Sequence, residues 1–418
     1  MPRSISTLAP LAMFAALATA CGSNGQQALG QTGEPIINGQ PSTSDQDYAV
    51  GIAILDSSGQ LMAACSGSLV AENLVLTARH CVSQIVNESA GVACTQQGTA
   101  IGAGGAVGAD YKPTQLAIMM GATIQFSNGY TPKFAAKGQQ IFHTAVNNLC
   151  DNDIALILLD QKIAGAKLAK LRLSSPPVQG ELITAIGWGV ANNTTSQMPE
   201  RRYRADIPVV KVGPASLGAY GGMGPNEFEI GEGICSGDSG GPAVAQSTGA
   251  VIGVVSRGGN GDPNANPNDP STQCVNTQSG GISYTAFNFY TRVDGFSDLL
   301  STAFAAAGTD PWLEGGPDPR LSKFGDGCTD SSQCQSNVCI GVGTVSQCSQ
   351  TCDGSTPCPT GYSCVTSGSQ QVCAPTNALS TTSSGGCAVS PQSGGRGALG
   401  FGIGLLGLAL VGVARRRR

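Results

Sequence analysis

The stretch "CSGDSGGPA", Cys235 to Ala243, crowds three glycines, two serines and an aspartate into nine positions. A serine hydroxyl is a weak nucleophile until a base removes its proton. Gly237 permits backbone angles that are closed to larger residues, so we expect the N–H groups of Gly237 and Ser239 to point the same way. Two converging N–H groups form a hole for an oxyanion. We therefore predict that Ser239 attacks acyl groups.

A nucleophilic serine of this kind needs a base and an acid that orients the base, and both are found upstream. The chain has two histidines. His80 stands in "TARHC" and Asp153 begins the apolar stretch "DIALILL". The second histidine, His143 in "QIFHTAV", has no partner motif beside it. We therefore take His80 as the base and Asp153 as the orienting acid.

These three motifs, with "GDSGGP" around the serine, resemble the chymotrypsin/trypsin-type serine proteases. The order His, Asp, Ser along the chain differs from that of the subtilisins and the α/β-hydrolases. The resemblance runs from "IING" at Ile36 to "YTRV" at Tyr290 and the helix beyond, about two thirds of the chain, and includes "CSGSL" and "GWG". It implies a catalytic triad of His80, Asp153 and Ser239, and an oxyanion hole at Gly237 and Ser239.

The fold class that the sequence predicts is all-β. Between residues 36 and 308 short apolar runs such as "YAVGIAIL" and "GAVIGVVS" alternate with turn residues, which favours a barrel or a sandwich. A helix is expected in "GFSDLLSTAFAAAG", with Gly308 as its stop. The family resemblance implies two packed six-stranded antiparallel barrels, followed by this helix, with the active site in the cleft between the barrels.

The 16 cysteines are interpreted as disulfide partners, because an exported chain folds in an oxidising space. The family resemblance implies two of the three bonds in the protease domain and leaves two cysteines to pair with each other. The three expected bonds are Cys65–Cys81, Cys235–Cys274 and, from the remaining pair, Cys94–Cys150.

The resemblance also implies where the substrate pocket and the activation site lie. The pocket base falls at Gly233, and the walls fall at Ser256, Gly258 and Asn288. An uncharged, shortened pocket favours small or medium apolar residues before the scissile bond. The neighbouring carboxylate of Glu232 would change that preference if the base lay one residue earlier.

Activation in this family follows from a cut that creates a new N-terminus, here after Pro35. The resemblance implies that the new amine of Ile36 inserts and pairs with Asp238.

Two positions depart from the family pattern. Arg79 stands where alanine is usual and is expected to point away from the neighbouring imidazole. Arg257 in "SRG" stands where tryptophan is usual. The second change removes an aromatic wall, while the backbone there still pairs with an extended substrate.

The N-terminus indicates export. Residues 1–20, "MPRSISTLAPLAMFAALATA", have a basic residue, an apolar stretch and a small-residue end, which is typical of a secretory signal peptide. Cys21 follows directly, so lipidation at this cysteine and simple cleavage both stay open. Residues 21–35 are interpreted as a propeptide or linker.

Beyond the protease domain, residues 309–324 read as a linker and residues 325–375 as a cysteine-rich, EGF-like module. Its eight cysteines indicate disulfides rather than zinc ligands, because both histidines lie elsewhere. Residues 376–397 form a flexible spacer with Cys387. Residues 398–418 join an apolar run to "RRRR" and are interpreted as a transmembrane segment that resembles myxobacterial sorting signals.

The composition limits the partners. A net charge of −5 and the lack of a basic face argue against nucleic acid as a partner.

Asp262 and the alternate asparagines after it could be spaced as calcium ligands, but a surface turn fits their Pro- and Gly-rich setting better. We expect a monomeric, surface-tethered or extracellular serine endopeptidase that needs no cofactor or metal. The alternative is a surface-binding protein that uses a protease-like scaffold and the cysteine-rich module.

Overall fold

The computed structural model describes residues 36–87, 91–123, 125–127, 131–189, 200–218, 221–265 and 270–379. The predicted signal peptide, Cys21, Cys387 and the predicted membrane segment lie outside these residues. Within the described residues, no helix combines the length and the apolar character that crossing a membrane requires. The chain divides into two compact units, with the boundary between Glu314 and Gly315.

Six antiparallel strands of the first unit close into a barrel in the order β5-β6-β3-β2-β1-β4, with β4 pairing back to β5. The strands are β1 Ala49–Leu55, β2 Leu61–Ala71, β3 Leu74–Thr77, β4 Leu116–Met119, β5 Ala136–His143 and β6 Ala155–Leu159.

The alternation of side chains along β1 explains how this barrel is filled. All seven residues of β1 are buried, because both of its faces are covered. Val50, Ile52 and Ile54 belong to the core inside the barrel, whereas Ala53 and Leu55 belong to a separate apolar cluster. Successive side chains of a strand point to opposite faces, so one apolar strand supplies both clusters.

A second barrel follows in the same unit. Its strands are β7 Leu182–Gly187, β8 Arg202–Val212, β9 Glu227–Ile230, β10 Pro242–Ala245, β11 Ala250–Asn260 and β12 Ala286–Arg292. They pair in the order β8-β7-β10-β11-β12-β9, and the pairing of β8 with β9 closes the ring. The two expected six-stranded antiparallel barrels are therefore confirmed.

The helix α1, Ser297–Ala307, lies after the second barrel and ends at Gly308, whose φ of 70° only glycine adopts readily. Its buried side chains Leu300 and Phe304 join an apolar cluster that contains residues of both barrels, including Leu156 and Val254. This cluster packs the barrels and the helix into one unit, so the cleft between the barrels has fixed walls.

The first unit extends a few residues beyond the helix. Leu171 donates its N–H to the carbonyl of Trp312 (2.8 Å), and Arg172 pairs with Glu314 (2.9 Å). The segment that the sequence predicted as a linker over residues 309–324 therefore begins as part of the protease unit. The Pro- and Gly-rich composition of the segment gives no sign of these polar contacts.

Short elements complete the described chain. The remaining strands are Gln40–Pro41, Ser83–Val86, Ala106–Asp110, Phe126–Ser127, Thr131–Pro132, Lys170–Leu171, Ala215–Ser216, Gly222–Met223, Thr277–Ser279 and Ile282–Tyr284. The helical turns are Ser44–Gln46, Arg79–Cys81, Pro113–Gln115, Pro270–Gln273, Asp294–Phe296, Ser331–Gln333 and Thr376–Leu379.

The second unit contains two hairpins, each fastened by two disulfides. The hairpins are β13 Cys339–Val342 with β14 Val345–Cys348, and β15 Tyr362–Ser367 with β16 Gln370–Pro375. The bonds are Cys328–Cys339, Cys334–Cys348, Cys352–Cys364 and Cys358–Cys373.

This bonding pattern differs from the single EGF-like module that the sequence suggested. In each half the first cysteine bonds the third and the second bonds the fourth, with separations of 11 and 14 residues in one half and 12 and 15 in the other. The unit is therefore a tandem repeat. All eight cysteines are bonded to each other, so none is available as a zinc thiolate.

Candidate active site

The turn around Ser239 is held by both barrels. Ser66 on β2 donates its N–H to the carbonyl of Ser239 (2.7 Å) and its hydroxyl to the carbonyl of Gly237 (3.0 Å). Gly240 donates to Val255 on β11 (2.9 Å). A side chain at Gly240 is excluded, because a Cβ there would lie 2.1 Å from the Thr77 hydroxyl. Hydrogen bonds to β2 and β11, together with close packing against Thr77, therefore fix the conformation of this turn.

His80 and Asp153 form a close pair beside this turn. His80 Nδ1 lies 2.8 Å from Asp153 Oδ2, and the His80 N–H donates to Asp153 Oδ1 (3.0 Å). Ser256 on β11 donates its hydroxyl to Asp153 Oδ2 (2.7 Å). The Asp153 side chain is fully buried, while 19% of the His80 side chain is exposed to the cleft.

The electrostatics of the pair favour an ionised carboxylate. Burial by itself would raise the pKa of Asp153, but the neighbouring His80 and the hydrogen bonds from His80 and Ser256 outweigh it. The pKa of Asp153 therefore lies below its usual value. A carboxylate that stays charged fixes the imidazole with Nδ1 toward Asp153, so Nε2 is the ring nitrogen on the far side from that carboxylate.

The segments of the base and the nucleophile touch each other. Cys81, directly after His80, places its Sγ 3.5 Å from the carbonyl oxygen of Ser239. The bond Cys65–Cys81 ties this helical turn to β2, which also carries Ser66. His80 is thus paired with Asp153, and the residue that follows it contacts the backbone of Ser239.

The donors for an oxyanion follow from the pattern of bonds in the turn. Asp238 donates its N–H to Cys235 (3.1 Å), and Gly241 donates to the carbonyl of Asp238 (2.8 Å). Gly237 has a φ of 92°, a conformation that glycine adopts at little cost. These bonds engage the N–H groups of Asp238 and Gly241 within the turn, and the expected oxyanion donors, the N–H groups of Gly237 and Ser239, belong to the same turn.

A cavity of about 270 Å³ opens next to Ser239. Ser256, Gly258 and Asn288 line it, as the sequence analysis placed them, and Ile234 lines it as well. Gly233 does not line it: a Cβ at Gly233 would instead meet the side chains of Ile207 and Ile230 in the barrel core. No carboxylate belongs to the described residues that line this cavity.

Asn288 limits the size of the cavity. Its side-chain amide is 3% exposed and donates to the carbonyl of Gly231 (2.8 Å), which fixes its orientation. The amide oxygen faces Gly258 so closely that a Cβ at Gly258 would lie 1.9 Å from it. The pocket therefore depends on a glycine in one wall and an oriented amide in the other.

Glu232 is turned toward the N-terminal segment of the domain. Its Oε1 accepts from the Asn38 side chain (2.9 Å), its Oε2 accepts from the Asn276 N–H (3.0 Å), and Arg204 lies 3.5 Å away. These partners answer the question that the sequence left open, because this carboxylate is engaged outside the substrate cavity.

Ile36 and Asp238 meet as the activation hypothesis requires. The backbone nitrogen of Ile36 donates to Asp238 Oδ2 (2.9 Å), and the Ile36 side chain is buried in the core of the second barrel. Burial raises the pKa of Asp238 to about 6, against the opposing effect of hydrogen bonds from the N–H groups of Ile36, Cys235 and Gly189.

Two further disulfides and the surroundings of Asp262 complete the comparison with the sequence expectations. The bonds Cys94–Cys150 and Cys235–Cys274 are formed. Asp262 is buried and accepts hydrogen bonds from the Asn264 N–H and the Thr277 hydroxyl, each 2.9 Å long, so its carboxylate is engaged by protein donors.

Sequence reasoning missed a charged cluster beside the base. Arg79 pairs with Asp110 (3.1 Å), and His143 Nε2 lies 2.9 Å from the same carboxylate. Arg79 is 3% exposed, and its guanidinium is directed to the carboxylate of Asp110. No motif surrounds Asp110, because its role depends on a pairing between distant strands.

The chain is similar to known proteins over the protease unit. The family described as "Trypsin" matches residues 36–276. Trypsin Blo t 3 of Blomia tropicalis is 30% identical over 209 residues, which cover 46% of this chain and 67% of that protein. A protein C activator of Agkistrodon contortrix contortrix is 26% identical over 226 residues, covering 52% and 82%. The structure of the scabies mite inactivated protease paralogue S-I1 aligns with a TM-score of 0.43 and 17% identity, over 64% of this chain and 99% of that one.

The matched residues make up more than half of the chain, so the chain belongs to the trypsin family of serine proteases. Its triad positions and its relatives named as trypsins and as a thrombin-like enzyme further define it as a serine endopeptidase.

The wall geometry predicts the effect of Gly258→Ala. The added methyl group collides with the Asn288 amide and narrows the cavity, so KM for substrates with Leu before the scissile bond should rise by about 10-fold. Adding Asn288→Gly to this variant removes the collision and should restore most of the loss. Steady-state kinetics on peptide anilides would measure both effects. An unchanged KM in Gly258→Ala would show that this wall does not contact substrate.

Proposed function

We propose that this endopeptidase is exported and hydrolyses peptide bonds through an acyl-enzyme on Ser239, after activation at Ile36. The single observation that carries the proposal is the 2.8 Å contact between His80 Nδ1 and Asp153 Oδ2 directly beside the Ser239 turn. A histidine held in this way is a general base aimed by its partner carboxylate.

The chemical steps follow from which imidazole nitrogen is occupied. Nδ1 of His80 faces Asp153, so Nε2 takes the proton from the Ser239 hydroxyl as Oγ bonds the substrate carbonyl carbon. The carbonyl oxygen becomes an oxyanion that accepts hydrogen bonds from Gly237 and Ser239. Nε2 then gives its proton to the leaving amine as the C–N bond breaks. Water, deprotonated by His80, releases the acid and restores Ser239.

Variants of the triad test this mechanism. Ser239→Ala should abolish labelling by a fluorophosphonate and nearly all peptidase activity. Asp153→Asn should lower kcat by about 10⁴, because the imidazole then adopts the wrong tautomer. Labelling detected by gel fluorescence and turnover of a peptide substrate are the measurements. Substantial turnover by Ser239→Ala would assign the activity to another group.

The proposed preference before the scissile bond is for small or apolar residues such as Ala, Val or Leu. The support is the cavity itself: Ile234 forms part of the wall, the oriented Asn288 amide shortens it, and no carboxylate of the described lining residues faces it. A cationic side chain would lose its hydration in this cavity without gaining a counter-charge.

A library of peptides that differ only in the residue before the scissile bond tests this preference. We expect kcat/KM for Ala, Val or Leu to exceed that for Arg or Lys by at least about 100-fold, because a buried unpaired cation is costly. A profile dominated by Arg or Lys would show that Glu232 or another carboxylate serves the pocket.

Activation is proposed to replace a neutral peptide nitrogen with an ammonium at Asp238. In the continuous chain this carboxylate is buried and its pKa is about 6, above the value of 3.8 for a free side chain, so above pH 6 it carries an unpaired charge. A group with a raised native pKa favours the protonated native form, and its stabilising effect is lost as the pH rises through 6. The new Ile36 ammonium would compensate the charge.

The direction of this pH dependence can be tested by comparing the uncut chain with the protein that begins at Ile36. The protein beginning at Ile36 should exceed the uncut chain in Tm by more at pH 7.5 than at pH 5, with a difference of roughly 5 °C. In Asp238→Asn the dependence on pH should disappear. Differential scanning calorimetry of both forms is the measurement. An equal gain at both pH values would mean that the ammonium does not pair with Asp238.

Localisation is proposed from the termini alone. A cut before Ile36 would separate any lipid at Cys21 from the protease unit, whereas Cys387 and residues 398–418 stay joined to it. We infer that the mature enzyme is held at the cell surface by its C-terminal end. The disulfide-bonded tandem repeat would serve as a stalk that resists proteolysis.

Deletion of residues 397–418 tests the anchor. Active protease should move from the cell fraction to the medium, measured by activity in each fraction. A chain with Cys21→Ser is the matched control and should stay with the cells after activation. If the deleted form remains bound to membranes, the anchor lies elsewhere.

A further inference from the structure

Arg257 occupies the wall of the substrate cavity and carries an engaged guanidinium. It follows Ser256 directly and lines the same cavity as Ser239. Its two terminal nitrogens face both oxygens of Glu227, with Nη2 3.0 Å from Oε2. The guanidinium carbon lies 4.6 Å from the centre of the Phe289 ring. Only 11% of the side chain is exposed, so this arginine is a fixed part of the wall.

Glu227 connects this arginine to the opposite barrel. Its side chain is fully buried, and besides Arg257 it accepts the N–H groups of Asp151 and Gly224, each at 3.0 Å. Glu227 and Arg257 belong to β9 and β11 of the second barrel, whereas Asp151 precedes β6 of the first. One buried carboxylate therefore links the barrels next to the cleft.

Asp151 stands two residues before the triad aspartate and has an unusual backbone. Its φ is 65°, in the left-handed region that costs energy for a residue with a side chain. Its carboxylate accepts from the Asn226 N–H (2.5 Å) and side chain (2.9 Å), again on the second barrel. The conformation that leads the chain into Asp153 is thus maintained by contacts with the second barrel.

We propose that Arg257 is a positioning residue for Asp153. The inference rests on the role of Asp153 in the proposed function and adds a second route by which β11 acts on it. Ser256 holds the Asp153 carboxylate directly, at 2.7 Å. Arg257 acts at one remove: its two terminal nitrogens hold the Glu227 carboxylate in place, and that carboxylate accepts the Asp151 N–H.

The charge of Arg257 matters because of where Glu227 lies. A buried carboxylate that loses its bidentate arginine partner is strongly destabilised. Without Arg257 the Glu227 side chain would no longer be held in its present orientation, and its hydrogen bond to the Asp151 N–H would weaken. Asp151 could then relax from its strained angle and shift Asp153 against His80.

The test compares two arginine substitutions. Arg257→Met keeps the length of the side chain and removes its charge; kcat, corrected by active-site titration, should fall by about 10- to 100-fold, as expected when a catalytic group is misplaced. Arg172→Met is the matched control, because Arg172 also pairs with two carboxylates, Glu181 (2.7 Å) and Glu314 (2.9 Å), on the same unit. It should lower Tm and leave kcat unchanged.

A double-mutant cycle distinguishes the route through Glu227 from a simple change in the wall. Glu227→Gln alone should lower kcat, and adding Arg257→Met to it should cause much less than the product of the two losses. If Arg257 only contacted substrate as part of the cavity wall, Arg257→Met would raise KM, and its effect would be independent of Glu227→Gln. Arg257→Lys keeps the positive charge but cannot make the bidentate contact with Glu227, so it should recover part of kcat. This variant supplies the comparison if Arg257→Met does not fold.

Two outcomes would overturn the inference: a wild-type kcat in Arg257→Met, or fully multiplicative losses in the cycle. If Arg257→Met does not fold, a wild-type kcat in Glu227→Gln would overturn it. Failure of the proposed function would look different. In that case the wild-type protein itself would show no fluorophosphonate-reactive Ser239, and titration would count no active sites in any variant.

Discussion

The buried charge of Asp153 is the constraint on which the arrangement of the site depends. A carboxylate removed from water is tolerated only when hydrogen-bond donors surround it. Here the donors come from both barrels: the backbone and imidazole of His80 on one side and the Ser256 hydroxyl on the other. The two barrels must therefore dock in one way for the charge to be satisfied, and that docking creates the cleft.

Other polar contacts across the same boundary follow the pattern. Ser66 on the first barrel holds the turn of Ser239, and its hydroxyl also accepts the Trp188 N–H (2.8 Å) from the second. Glu227 reaches back from the second barrel to Asp151. The apolar cluster between the barrels supplies the bulk of the attraction, while these directional bonds specify the alignment that catalysis needs.

The sequence predicted the parts of the fold and site that local patterns determine. Alternating apolar runs marked the strands, Gly308 marked the helix end, and three short motifs marked the triad region. What it could not predict depends on contacts between distant residues. Asp110, Glu227 and Glu232 lie in no motif, because each acts through partners about 30 to 200 positions away that only the folded chain brings near. The tandem repeat was present in the cysteine spacing but was read as one module.

The reactivity of Ser239 depends on His80 as its base. The most direct test is the rate at which a fluorophosphonate modifies the mature protein and its His80→Ala variant, with the adduct located by peptide mass spectrometry. We predict that wild-type protein is modified at Ser239 alone and that the variant reacts slower by several orders of magnitude. Equal rates in the two proteins, or an adduct on another residue, would contradict the account.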